Sequence, residues 1–177
     1  MTNHFGKLIL TLFLLAVFSF GDTTAPVDVW AQAEGSSLAK QVQGTWILVS
    51  NINERDGQKI DTFGPNPRGQ LILTPGGHFS MILMRASLPK FASNNRLKGT
   101  AEENQAVVQG SHAFYGTYKM GSEKEKTIIL HVEGCTFPNW DGQDLPRVMT
   151  LSEDELKQVN PAAAIGGKNY VTWKRAE

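Results

Sequence analysis

The stretch Gly44-Thr45-Trp46-Ile47-Leu48-Val49-Ser50 decides the fold, because it opens the first of many short β-type runs in this chain. Side chains of residues 42–52 alternate between two faces, which is typical of a strand with one buried side. One face carries Trp46, Leu48, Ser50 and Ile52, and the other carries Thr45, Ile47, Val49 and Asn51. We expect Trp46 to be buried, since covering its ring removes on the order of 200 Å² from water.

Further β-type runs, separated by turn residues, follow along the rest of the chain, as in a sandwich or a barrel. They cover residues 58–61, 70–74, 78–84, 112–120, 126–134, 145–151, 156–159 and 169–175. This pattern predicts an all-β fold, a closed antiparallel barrel of about eight to nine strands, in which closure removes the edge strands. The interior of such a barrel is either filled by side chains or holds one small ligand.

One short helix is predicted within this β pattern. Thr100 and Glu103 have the spacing of a capping box, so the helix should cover about residues 101–109, with Gly110 as a left-handed cap. The hairpin around Pro75-Gly76-Gly77 has large apolar residues on both faces. We therefore expect a helix or a second copy of the chain to cover its outer face, which makes a homodimer one expected assembly.

The N-terminal region has the pattern of a signal peptide. Residues 8–20 form an uncharged apolar run of about 13 residues, whereas a membrane-spanning helix needs about 20. Ala31 and Ala33 supply a cleavage site, with a cut after Gly21 as the alternative. The sequence predicts a signal peptide over residues 1–33, one domain over residues 34–177, export to the periplasm or the medium, and no stable membrane anchor.

Charge and motifs exclude several functional classes. The chain has 17 Lys and Arg against 17 Asp and Glu, so nothing favours binding to nucleic acid. The usual signatures of nucleotide binding, zinc proteolysis, serine hydrolysis and dithiol chemistry do not occur. His78, His112 and His131 lack metal-ligand spacing, and we predict neither a metal nor a cofactor.

His131 and Glu133 form the sharpest polar pair, because two residues that alternate on one strand share a face about 7 Å apart. If that face lines the barrel, the pair is suited to proton transfer at a ligand carbonyl. The neighbouring residues Ile128, Leu130 and Val132 make the more apolar face, which favours the outside for the pair.

Arg147 and Arg85 pose the same choice between the rim and the interior. Arg147 shares a face with Leu145, Met149 and Leu151, so it points into an apolar interior or lies under a covering element. An inward arginine needs an acidic or carbonyl partner, since an unpaired buried charge costs several kcal/mol. Glu133 and a ligand carboxylate are the two candidates.

Three further residues are candidates for the lining of a ligand cavity. Met84 offers an adaptable apolar side chain. Tyr115 lies in an aromatic group with Phe114, and Trp140 ends a loop rich in proline and asparagine at one mouth of the barrel. The predicted ligand-binding set is therefore Met84, Arg85, Tyr115, His131, Glu133, Trp140 and Arg147.

An ordered set of segments resembles the bacterial and fungal lipocalin-like domain proteins, which belong to the calycin barrels. Besides the first strand, the set comprises Phe63-Gly64-Pro65-Asn66-Pro67-Arg68-Gly69, Thr74-Pro75-Gly76-Gly77-His78-Phe79-Ser80, Phe91-Ala92-Ser93-Asn94-Asn95-Arg96, His131-Val132-Glu133 and Phe137-Pro138-Asn139-Trp140. The resemblance implies a barrel around a central cavity, without an assigned activity. In the better-known lipocalins a late arginine closes over the first tryptophan, and Arg175 is its counterpart here, whereas their Thr-Asp-Tyr motif is absent.

Three functions follow from these observations. The first is an exported protein that binds a small hydrophobic molecule, for which we expect a cavity near the roughly 300 Å³ of an ordinary ligand site. The second is a cyclase or isomerase that uses His131, Glu133 and Arg147. The third is a non-catalytic structural module that dimerises through its outer hairpin face.

Overall fold

The computed structural model describes residues 37–177, so the predicted signal peptide and its cleavage sites lie outside the described residues. Nine strands and two α-helices make up this part of the chain. The elements are α1 (Leu38–Gln41), β1 (Gly44–Arg55), β2 (Gln58–Asp61), β3 (Arg68–Leu73), β4 (His78–Met84), α2 (Ala101–Gly110), β5 (Ser111–Ser122), β6 (Thr127–Cys135), β7 (Asp144–Ser152), β8 (Glu155–Asn160) and β9 (Lys168–Arg175). Neither helix has the length and apolar character needed to cross a membrane.

The strands form a closed antiparallel barrel, which confirms the predicted fold class. Neighbouring strands pair in the order β1, β3, β4, β5, β6, β7, β8, β9, and β9 pairs again with β1. The remaining strand, β2, pairs only with the last part of β1, from Ile52 to Arg55. Closure leaves the eight barrel strands without an open edge.

Trp46 is buried, as the sequence predicted, and seals one end of the barrel. The ring is fully buried, its Nε1–H donates a 2.8 Å hydrogen bond to the Val42 carbonyl, and the Arg175 guanidinium lies 4.1 Å from the ring centroid. Gly44 has a φ of 126°, and a Cβ there would lie 3.0 Å from Nη1 of Arg175. The glycine two residues before the tryptophan therefore makes room for the arginine.

A β-bulge in β1 changes which side chains face inward. The pairing of β1 with β9 shifts register between Leu48 and Ser50. An extra residue reverses the alternation of faces beyond it. Asn51 and Asn53 are consequently buried, at 2% and 1% exposure, and the prediction that Ser50 and Ile52 share the inner face with Trp46 was wrong.

The helix α2 begins as predicted and ends differently. The capping box is present, with Thr100 Oγ1 accepting from the Glu103 amide and the Glu103 carboxylate accepting from the Thr100 amide. Gly110 belongs to the helix and is not a left-handed cap; a Cβ there would meet Leu88 Cδ2 at 2.5 Å. On the outer hairpin face, Ile82 stays 39% exposed. Cover by a second copy stays a prediction.

Candidate functional site

A cavity opens at the end of the barrel opposite Trp46. The cavity has a volume of about 70 Å³ and is open to solvent at its mouth. Ordinary small-molecule sites have about 300–1,000 Å³, so the expectation of a cavity near 300 Å³ was wrong, and a ligand of ordinary size would extend into the mouth. The lining residues are Asn51, Thr62, Phe63, Met81, Leu83, His112, Phe114, Trp140, Arg147, Gln158, Asn160, Ala163, Ala164, Ile165, Asn169 and Val171.

Arg147 points into this cavity from β7, not to the rim, and is 2% exposed. Its Nη1 donates to the Pro146 carbonyl at 2.8 Å and to Asn160 Oδ1 at 3.0 Å, while Nε has no hydrogen-bond partner among residues 37–177. Burial lowers the pKa of Arg147 to about 10. The guanidinium therefore remains a cation at neutral pH.

The expected acidic partner of Arg147 is not in the cavity. Glu133 is exposed on the outer face of β6, and none of the described lining residues is an aspartate or a glutamate. Two neutral side-chain atoms of the lining, Thr62 Oγ1 and Gln158 Oε1, are also buried without a partner within the described chain. Buried polar groups normally have partners, and a polar group of a ligand would supply partners for these atoms.

An aromatic wall stands beside the arginine. Trp140 ends a 3₁₀ turn between β6 and β7, and Arg147 Cζ lies 5.6 Å from its ring centroid. The Trp140 ring contacts His112 and Phe114, with centroid distances of 5.0 and 5.5 Å. These rings give the cavity an apolar side next to its charged side.

His112 connects the cavity with the single cysteine. Its Nε2 lies 3.2 Å from the Cys135 sulfur, which also accepts from the Phe137 amide. Burial, and secondly the positive charge of Arg147, lower the pKa of His112, and burial raises the pKa of the Cys135 thiol. Within residues 37–177, no group of three His, Cys, Asp or Glu side chains is placed to hold a metal ion.

The lowered pKa of His112 makes stability depend on pH. The imidazole titrates near 6.5 in the unfolded chain and lower in the folded one, so the unfolded chain takes up the proton first. We expect this contribution to be complete above about pH 6.5 and to be lost as pH falls through the folded pKa. Urea unfolding at pH 7.5 and pH 5.0 measures it.

The matched variants are His112→Gln and, as a control, His78→Gln at an exposed position. The loss of unfolding free energy between the two pH values should be smaller in His112→Gln than in the wild type, and unchanged in His78→Gln. Equal losses in all three proteins would contradict the role of His112.

Three of the predicted ligand-binding residues lie outside the cavity. Met84 is on the outer face of β4, because the inner face carries Phe79, Met81 and Leu83. Arg85 is exposed just beyond β4, and its amide donates to the Gly110 carbonyl. Tyr115 is 54% exposed and lies on the outside, where a Cβ on Gly134 would meet its ring at 2.7 Å.

The proposed catalytic pair is also on the outside. His131 and Glu133 are exposed, since Leu130 and Val132 occupy the inner face of β6. His131 Nδ1 lies 2.7 Å from Asp144 Oδ1, so its polar partner belongs to the outer surface as well. This pair has no access to the cavity, and the cyclase or isomerase mechanism built on it was wrong.

Of the predicted residues, the structure brings only Arg147 and Trp140 together in the cavity. It adds His112, Gln158 and Asn160, which sequence reasoning missed. The alternation of β8 contained the signal, since Leu156, Gln158 and Asn160 share one face and all are buried. Asn51 had no such signal because its inward position depends on the bulge.

Two comparisons with known proteins can be set beside this geometry. The chain is 30% identical over 105 residues to the 4'-hydroxy-3'-methoxypropiophenone carrier protein of Aspergillus oryzae, and the match covers 54% of this chain and 95% of that protein. Among solved structures it is similar to a REP1-NXSQ fatty acid transporter, with 13% identity, a TM-score of 0.37, and 78% and 98% of the two chains covered. At that TM-score the likeness says nothing about function.

The family follows from a broader match. The family model described as a lipocalin-like domain matches residues 43–176, which is nearly the whole barrel. It begins just before the Gly44-Thr45-Trp46 segment and ends just after Arg175, the two parts that seal the barrel together. The chain therefore belongs to the lipocalin-like domain family.

Proposed function

We propose that this protein is an exported carrier that binds a small, largely hydrophobic molecule in the open end of its barrel. Family membership supplies the fold, and a relative whose name describes a carrier protein supports the function. The leader pattern of residues 1–33 supports export. The intact mass of protein purified from its own host tests export: a chain starting at residue 34 or 22 supports it, and an unprocessed chain overturns it.

The observation that carries the proposal is the asymmetry of the barrel. Trp46 and Arg175 seal one end, while the other end keeps a cavity with an aromatic wall and an open mouth. Ligand sites are typically concave and apolar with a few placed polar groups. A molecule that enters through the mouth buries its apolar part against Phe114 and Trp140.

Titration with N-phenyl-1-naphthylamine, a neutral fluorescent probe of apolar sites, tests the proposal. We expect saturable binding, together with a co-purifying small molecule in native mass spectrometry. Ala164 lines the mouth and is exposed, whereas Ala162 lies in the same loop outside the lining. Ala164→Trp should therefore weaken binding by about tenfold or more, and Ala162→Trp should leave it unchanged.

The control separates a blocked mouth from a damaged loop, because both variants put the same side chain into one segment. The proposal fails if the wild-type protein neither binds the probe nor carries a molecule from its host. It also fails if both tryptophan variants bind as tightly as the wild type.

A further inference from the structure

The residues that line the cavity also indicate the chemical class of the ligand. We propose that the carrier selects small molecules that bear a carboxylate, which pairs with Arg147, on a body that lies against Trp140. This inference rests on the proposed function, since it names what the same cavity holds.

The positive charge of Arg147 has no acidic partner in the described lining of the cavity. Arg147 is a cation at 2% exposure, and no acidic side chain stands among the described residues of the lining. An uncompensated charge costs several kcal/mol to bury, and buried charges are normally paired. An anionic group on the ligand supplies the missing countercharge.

The Arg147 guanidinium is held through Nη1, while its Nε is left without a partner in the described chain. The Pro146 carbonyl and Asn160 Oδ1 both accept from Nη1, which fixes the side chain in place. Nε, on the opposite edge, donates to no group within residues 37–177. A carboxylate binds an arginine through two parallel hydrogen bonds along one such edge, and a fixed guanidinium loses little entropy in doing so.

Two other polar atoms of the cavity lining lack a partner within the described chain. The buried Thr62 hydroxyl has no partner in the described chain and is able to donate a hydrogen bond to a carboxylate oxygen. Gln158 lines the cavity at 3% exposure, and its Oε1 is likewise unpartnered. A terminal amide turned by 180° presents its NH₂ group to the anion.

The aromatic wall limits the rest of the ligand. The Trp140 ring stands 5.6 Å from Arg147 Cζ, and His112 and Phe114 continue the wall. A ligand whose carboxylate reaches Nε therefore lays its adjacent atoms along these rings. The small cavity volume, about 70 Å³, favours a body of one ring or a short chain, with the remainder in the mouth.

Isothermal titration of the mature protein with 3-phenylpropionate and 3-phenylpropanamide tests the inference. The two probes have nearly the same shape and differ in charge. We expect the acid to bind at least about tenfold more tightly than the amide, because a hydrogen bond between two charged groups is stronger than one to a neutral group. Arg147→Met should remove this preference, and Arg147→Lys should keep part of it.

His112 supplies a second readout. Arg147 contributes to the lowered pKa of this imidazole, so an anion bound to Arg147 should raise that pKa. We expect NMR titration to show a higher His112 pKa with the acid than with the amide. The comparison cancels the effect of covering the imidazole, which both probes share.

The outcomes separate this inference from the proposed function. Equal affinities for acid and amide, or a preference for the amide, overturn the carboxylate while binding of N-phenyl-1-naphthylamine keeps the carrier intact. Absence of binding by all three probes, together with no co-purifying molecule from the host, overturns the carrier itself. If Arg147→Met does not fold, the acid-to-amide ratio of the wild type and of Arg147→Lys still decides.

Discussion

Replacing Trp46 by alanine is expected to lower the free energy of unfolding by about 3–5 kcal/mol, the usual cost of deleting a buried aromatic side chain. The ring is fully buried and donates to the Val42 carbonyl. Its loss also leaves Arg175 above an empty space, because the guanidinium lies 4.1 Å from the ring centroid. Urea unfolding followed by circular dichroism at neutral pH measures the change.

Trp140→Ala is the matched control, since it deletes the same side chain from the open end. Trp140 is half-buried and lies in a loop, so the stability loss should be clearly smaller. Binding of the probe should weaken, because this ring forms the wall of the cavity. Equal stability losses in the two variants would contradict the assignment of Trp46 as the seal.

Gly116→Ala is expected to destabilise the barrel by about 3 kcal/mol, at the upper end of what overpacking costs. A Cβ at Gly116 would lie 2.0 Å from the His131 carbonyl oxygen and 2.9 Å from the Glu133 amide nitrogen. Both are backbone atoms of the neighbouring strand β6, so no side chain can rotate away. The substitution must push β5 and β6 apart.

The control for this second variant is Gly76→Ala. Its nearest neighbours would stand at 3.8 and 3.9 Å, and the residue is not in the left-handed region. An exposed position without a clash should change stability by no more than about 0.5 kcal/mol. Thermal unfolding of both variants gives the comparison, and a Gly116→Ala protein as stable as Gly76→Ala would disprove the clash.

The barrel was predictable because its evidence is local. Alternation places Ile128, Leu130 and Val132 on the inner face of β6, and turn glycines separate the strands, so the fold class and the approximate number of strands followed without tertiary information. The cavity was less predictable because inward facing depends on details of pairing. The bulge after Leu48 brings Asn51 inward, and no alternation pattern reports it.

For Arg147, the sequence determined neither the placement of the side chain nor its partners. Its apolar neighbours on β7 indicated two placements, in the interior or under cover, and only the structure distinguishes them. Its partners could not be predicted, because Asn160 comes from the next strand and Trp140 from a loop. The acid that seemed the natural partner, Glu133, points to the other side of the barrel wall.

The bulge in β1 has a consequence for the polarity of the barrel interior. On the inner face of this strand, the apolar side chains of Trp46 and Leu48 come before the bulge, and the amide side chains of Asn51 and Asn53 come after it. The inner wall of this strand is therefore apolar toward the sealed end, while Asn51 brings an amide group to the lining of the cavity. In the proposed carrier a ligand therefore enters and leaves through the one open end, because Trp46 and Arg175 seal the other.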